Sequence, residues 1–156
     1  MKKERTIDWR RITGVYQIIG ALIGFLFLEL VIAGGEEQIS PWILVTDFLF
    51  YLFSFVAGVL LLRKPAVGFK VSYVNQALQI FVIGAGPFRF FYLAGIGLVL
   101  KLDFTGKTLI ILEALLSRFQ FGLFESETYY FGLNFGAVVA MYLLAKSGRH
   151  KGTSGS

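Results

Sequence analysis

Two apolar runs near the start of the chain are each long enough to cross a lipid bilayer. They cover residues 12–33 and 42–62 and hold one charged side chain each, Glu29 and Asp47. A helix of about 22 residues is about 33 Å long, which exceeds the hydrocarbon thickness of about 30 Å. The runs therefore predict two membrane-spanning helices, and Pro41 suits the first turn of the second one.

The composition agrees with a membrane environment. The chain is 56% hydrophobic and 16% charged, whereas soluble domains are about 45–50% apolar and about 25% charged. In water a protein of this size would expose large apolar patches, which promote aggregation. Lipid removes that problem because it is a good solvent for apolar surface.

The later half of the chain predicts two further spans. Residues 71–90 form the third predicted span, with a kink near Pro87, and residues 129–145 form the fourth. Residues 91–128 then form an interfacial or outer segment. The expected fold is an all-α integral membrane protein with four transmembrane helices in two hairpins, as one domain of residues 1–151. Residues 152–156 are typical of an appended linker.

Two features of this half leave alternatives open. Residues 117–124 alternate between apolar and polar side chains, and the four residues after them could turn, which allows a short β-hairpin. Residues 84–87 could form a tight turn instead of a kink, with residues 88–100 and 108–123 as extra crossings. Those crossings are shorter than the usual 17–25 residues, so four spans are favoured.

The basic residues predict the orientation. Eleven of the 15 Lys and Arg residues lie in the N-terminal arm, in the loop after the second span or in the tail. The positive-inside rule then places both termini in the cytoplasm of a multi-pass inner-membrane protein. The net charge of +5 follows from this topology, so nucleic acid is not an expected partner. In hydropathy layout the chain resembles small four-helix inner-membrane proteins of bacteria, and no motif supports that resemblance.

Polar residues at membrane depth are costly and usually face a bundle interior. Four of them lie at a similar depth under this topology and predict an outer binding cluster: Glu29, Asp47, Arg89 and Asn134, with Arg118 as a possible further member. The cluster could hold an anionic group or form part of an ion path. The alternative is that Arg89 and one acid form an ion pair that closes the bundle, and this alternative is favoured.

An uncharged polar layer is predicted near the cytoplasmic end of the spans. It consists of Gln17, Asn75, Gln76 and Gln79. Interhelical hydrogen bonds explain such residues, each contributing about 0.6–2 kcal/mol in membranes. A substrate site is the other explanation.

Rows of small residues predict close helix packing. Gly20 and Gly24 form one row, and Gly132, Gly136 and Ala140 form another. Because four short spans enclose little interior, these rows are expected to support self-association as well as packing within the chain.

No catalytic motif is present in the sequence. The chain lacks cysteine and its single histidine is His150 in the tail, so no metal site and no cofactor is expected. We expect a non-enzymatic protein that acts by assembly in the bilayer, as a homo-oligomer or as a membrane anchor for a cytoplasmic protein partner. The alternative is an oligomeric ion channel or small-solute transporter that uses the outer cluster.

Overall fold

The computed structural model describes residues 8–34 and 40–149, except for the side chains of residues 123–127 and of Arg149. Within these ranges the elements are α1 (Trp9–Ala33), α2 (Pro41–Arg63), α3 (Pro65–Ile80), β1 (Phe81–Asp103), β2 (Leu109–Asn134) and α4 (Phe135–Arg149). The predicted all-α fold is wrong, because a large antiparallel sheet occupies the middle of the chain. Most of the predicted basic arm and acidic turn, and the linker at residues 152–156, lie outside the described residues.

The first two predicted spans are confirmed as helices of membrane length. Pro41 begins α2, as its missing N–H favours. The two helices pack antiparallel, because Gly14 lies against Leu62 while Gly24 lies against Tyr51. Within the most apolar 18-residue stretch of each helix, only 28% of α1 and 22% of α2 is buried inside the fold. Both helices therefore leave most of their apolar surface to the surroundings.

The third and fourth predicted spans are wrong in extent. The third helix begins at Pro65 and ends at Ile80, and the chain becomes extended at Phe81. The predicted kink near Pro87 lies within β1, and the first part of the predicted interfacial segment, residues 91–103, is also strand. Residues 129–134 belong to β2, so the last helix begins only at Phe135. Aromatic and β-branched residues favour the extended backbone in these segments.

The two strands form one long hairpin that coils on itself. Residues 81–93 of β1 pair with residues 118–133 of β2, and residues 96–103 pair with residues 109–116. Residues 99–103 also pair with residues 130–134 on their other edge, so three antiparallel segments lie side by side there. Coiling lets these edges satisfy each other's N–H and C=O groups, which a bilayer requires.

A β-bulge bends the hairpin at its midpoint. Leu93 pairs with Arg118 and Ile96 pairs with Leu116, so Ala94 and Gly95 together oppose Ser117. Gly95 has a φ of +119°, a conformation that only glycine adopts without strain. The bulge adds one residue to β1. The alternation of inward-facing and outward-facing residues along β2 therefore shifts by one position at the bend.

Candidate binding pocket

The inside of the coiled hairpin is polar. It forms a pocket of about 310 Å³, called here the sheet pocket. The apolar residues that line this pocket are Val82, Phe91 and Val99. The remaining lining side chains are polar: Arg89, Lys101, Asp103, Glu113, Arg118, Gln120, Thr128 and Tyr130. Every charged residue of β1 and β2 whose side chain is described lines this pocket.

The outside of the same hairpin is apolar. Its large exposed side chains are Phe81, Phe88, Ile96, Leu98, Leu109, Ile110, Leu112, Leu116, Tyr129 and Phe131. A sheet that is apolar outside and charged inside is the inverse of a water-soluble sheet, and it is the pattern of transmembrane barrels.

Four contacts engage charged side chains of the sheet pocket. Lys101 Nζ lies 3.3 Å from Glu113 Oε1 and 5.4 Å from the centre of the Tyr130 ring. Asp103 Oδ1, at the hairpin end, accepts a hydrogen bond from the Thr105 amide at 2.9 Å. The Thr105 hydrogen bonds hold the pKa of Asp103 below its ordinary value. Arg89 Nε donates to Thr128 Oγ1 at 3.3 Å.

The structure distributes the predicted outer cluster over several places. Arg89 and Arg118 share the sheet pocket. Asp47 lines a second pocket of about 300 Å³ between α1, α2 and β2, and Arg118 borders this pocket too. Glu29 is exposed on α1 and lines neither pocket. Asn134 is buried at the end of β2, where its Oδ1 accepts the Gly136 amide at 3.0 Å.

The predicted inner layer is buried, and part of it is joined by hydrogen bonds. Ser72 Oγ donates to Gln17 Oε1 at 3.1 Å, and Asn75 Nδ2 donates to Ser54 Oγ at 3.1 Å. Within the described residues, the Gln76 amide nitrogen and oxygen are both buried without a hydrogen-bond partner.

The bend of the hairpin is held by polar groups from neighbouring elements. Gln79 Oε1 accepts the Ala94 amide at 2.9 Å. Ser117 Oγ accepts the Gly95 amide at 2.9 Å and donates to the Gly20 carbonyl at 2.7 Å. Backbone groups that leave regular pairing must find partners when water is excluded. Gln79 and Ser117 supply those partners.

The predicted small residues have different neighbours. Gly20 lies against the Ala94–Gly95 peptide, and Gly24 against the Tyr51 ring. Gly132 belongs to β2, where it packs against Val82 and Val99, so it does not continue a helical row. Gly136 and Ala140 line an apolar groove of about 360 Å³ between α1, β1 and α4.

The sequence prediction missed several lining residues, namely Lys101, Asp103, Glu113, Gln120, Thr128 and Tyr130. A period-two signal for the first two exists at residues 98–103, where Leu98, Leu100 and Leu102 alternate with Val99, Lys101 and Asp103. That alternation is typical of a membrane strand with one polar face.

Comparison of the chain with protein-family models, with curated proteins and with solved structures gives no match. The site is therefore interpreted from its own chemistry. The two long apolar helices are weak evidence for association with a membrane.

Proposed function

We propose that the chain is a multi-pass integral protein of a bacterial inner membrane that binds a polar ligand in its sheet pocket, without catalysing a reaction. One observation carries the proposal: the charged side chains described in the coiled hairpin line its pocket, and its large apolar side chains face outward. Charged groups inside a low-polarity medium are costly and are retained where they serve a ligand or a path.

The helix α3 supports the same environment. Its buried positions are Gly68, Ser72, Asn75, Gln76 and Gln79, all small or polar. Its exposed positions include Val67, Val74 and Leu78. A helix in water buries its apolar stripe, so α3 has the reverse arrangement. Lipid surroundings account for both the helix and the sheet.

The basic residues support an orientation with both termini in the cytoplasm. Arg10 and Arg11 begin α1, and Arg63 ends its antiparallel neighbour α2, so these charges lie at one end of the helix pair. Asp47 and the adjoining Arg118 lie toward the other end. The positive-inside rule then favours the outer half of the membrane for the part of the sheet pocket where Arg118 is exposed.

Two other functions stay as alternatives. One observation favours a channel or transporter: Arg118 lines both the sheet pocket and the second pocket, which contains Asp47. Assembly as a homo-oligomer or as an anchor for a cytoplasmic protein rests on the small residues Gly136 and Ala140 beside α1.

Fractionation of cells that express the chain tests the membrane placement. We expect the protein to sediment with membranes, to stay there through alkaline carbonate and urea washes, and to dissolve in dodecyl maltoside. The apolar outer surfaces of α1, α2 and the hairpin cause this behaviour. A compact protein in the aqueous fraction without detergent would refute the proposal.

A further inference from the structure

The charges of the sheet pocket are unequal in number. Its described lining contains three cations, Arg89, Lys101 and Arg118, and two acids, Asp103 and Glu113. Lys101 and Glu113 form an ion pair, and Asp103 accepts a hydrogen bond from a backbone amide. One positive charge more than the described acids can balance therefore faces the pocket.

Arg118 is the cation with spare hydrogen-bonding capacity. Among the described residues nothing accepts a hydrogen bond from its guanidinium, although the group borders the pocket. It is also exposed, so a ligand can reach it. A guanidinium presents five N–H donors in a planar fork that matches the oxygens of phosphate or carboxylate.

Neighbouring donors surround the same space. Gln120 lies two residues after Arg118 and faces the same side of β2, about 7 Å along the strand. Tyr130 and Arg89, whose side chains carry further donors, also line the pocket. Donors on three parts of the coil suit a tetrahedral oxyanion, because its oxygens point in several directions.

We propose that the sheet pocket binds a phosphate group, with Arg118 as the principal contact and Gln120 beside it. This inference rests on the proposed function and adds the chemical class of the ligand. The phosphate could belong to an anionic lipid headgroup or to a free solute. Arg118 is exposed and also lines the second pocket, between α1, α2 and β2, so both sources can reach it.

Binding to the purified full chain in dodecyl maltoside tests the inference. One arm titrates inorganic phosphate by calorimetry, and the other counts phosphatidylglycerol molecules retained in native mass spectrometry, with diacylglycerol as the phosphate-free comparison. We expect saturable binding of at least one phosphate probe and none of diacylglycerol. Retention of the lipid alone identifies a headgroup site, and competition by inorganic phosphate identifies a solute site.

Matched variants give the decisive comparison. Arg118→Gln is expected to weaken binding about tenfold or more, because a charge-assisted hydrogen bond is lost. Lys107→Gln removes the same charge from the exposed hairpin turn outside the pocket and should leave the affinity within about twofold. Gln120→Leu keeps every charge and should weaken binding by a smaller factor.

Three results would overturn the inference. They are wild-type protein without saturable binding, an Arg118→Gln variant that binds like wild type, and a Lys107→Gln variant that loses as much as Arg118→Gln. If Arg118→Gln fails to fold, the wild-type titration and the Gln120→Leu variant still decide. A chain that sits in the membrane without binding phosphate would refute this inference and leave the membrane placement intact.

Discussion

Gly20→Ala is expected to destabilise the chain by about 1–3 kcal/mol, the usual effect of overpacking. A Cβ at this position would lie 2.5 Å from the Gly95 nitrogen and 2.6 Å from the Ala94 oxygen. Both are backbone atoms of the bend, which cannot rotate away as a side chain would. The free energy of unfolding in mixed micelles of dodecyl maltoside and dodecyl sulfate measures the effect.

Gly148→Ala is the matched control, because it also adds a methyl group to a helical glycine. Gly148 lies in α4 with nothing within 4 Å of its added Cβ. Alanine is favoured over glycine in a helix by about 0.5–1 kcal/mol, so this variant should be neutral or more stable. Equal loss of stability in both variants would show that the contact between Gly20 and the bend is not formed.

Gln79→Leu is expected to destabilise the chain by about 1–3 kcal/mol, because it leaves the buried Ala94 amide without a partner. Gln76→Leu makes the same chemical change one turn earlier, at a side chain that has no hydrogen bond to the described residues. Removing an unpartnered buried amide should be neutral or stabilising. The same unfolding measurement compares the two variants, and the opposite order of stabilities would contradict the assignment of Gln79 to the bend.

Local features of the sequence predict the first two helices and the burial of the polar layer. Length and apolar content predict α1 and α2, since a helix of this length pairs its backbone groups locally and can cross a bilayer. Pro41 begins α2, as its missing N–H favours. Gln17, Asn75, Gln76 and Gln79 are buried, as expected of polar side chains in a chain whose exposed surface is largely apolar.

The sheet was not predictable from the same rules. A long apolar run such as residues 81–100 predicts a helix when only hydropathy is considered, because an isolated strand in lipid leaves its edges unpaired. Here the edge of residues 99–103 pairs with residues 130–134, about 30 residues away in the chain. This distant pairing satisfies the second edge of the strand, and no local pattern in the sequence encodes it.

The candidate site was predictable only in part for the same reason. Arg89 and Arg118 were identified as polar residues at membrane depth, and they share the sheet pocket. Glu29 was assigned to the cluster from its depth alone, yet it faces outward on α1. Depth in the membrane gives no information about the direction of a side chain, which depends on the packing of the helices.

Site-directed spin labelling of β2 tests the inverted sheet most directly. The chain has no cysteine, so each single-cysteine variant from residue 110 to 116 carries one label. In lipid vesicles we expect the label at position 113 to contact a water-soluble nickel complex. The labels at positions 110, 112 and 116 should instead contact oxygen dissolved in the lipid. The reverse alternation, or equal contact with the nickel complex at all positions, would contradict a charged interior surrounded by hydrocarbon.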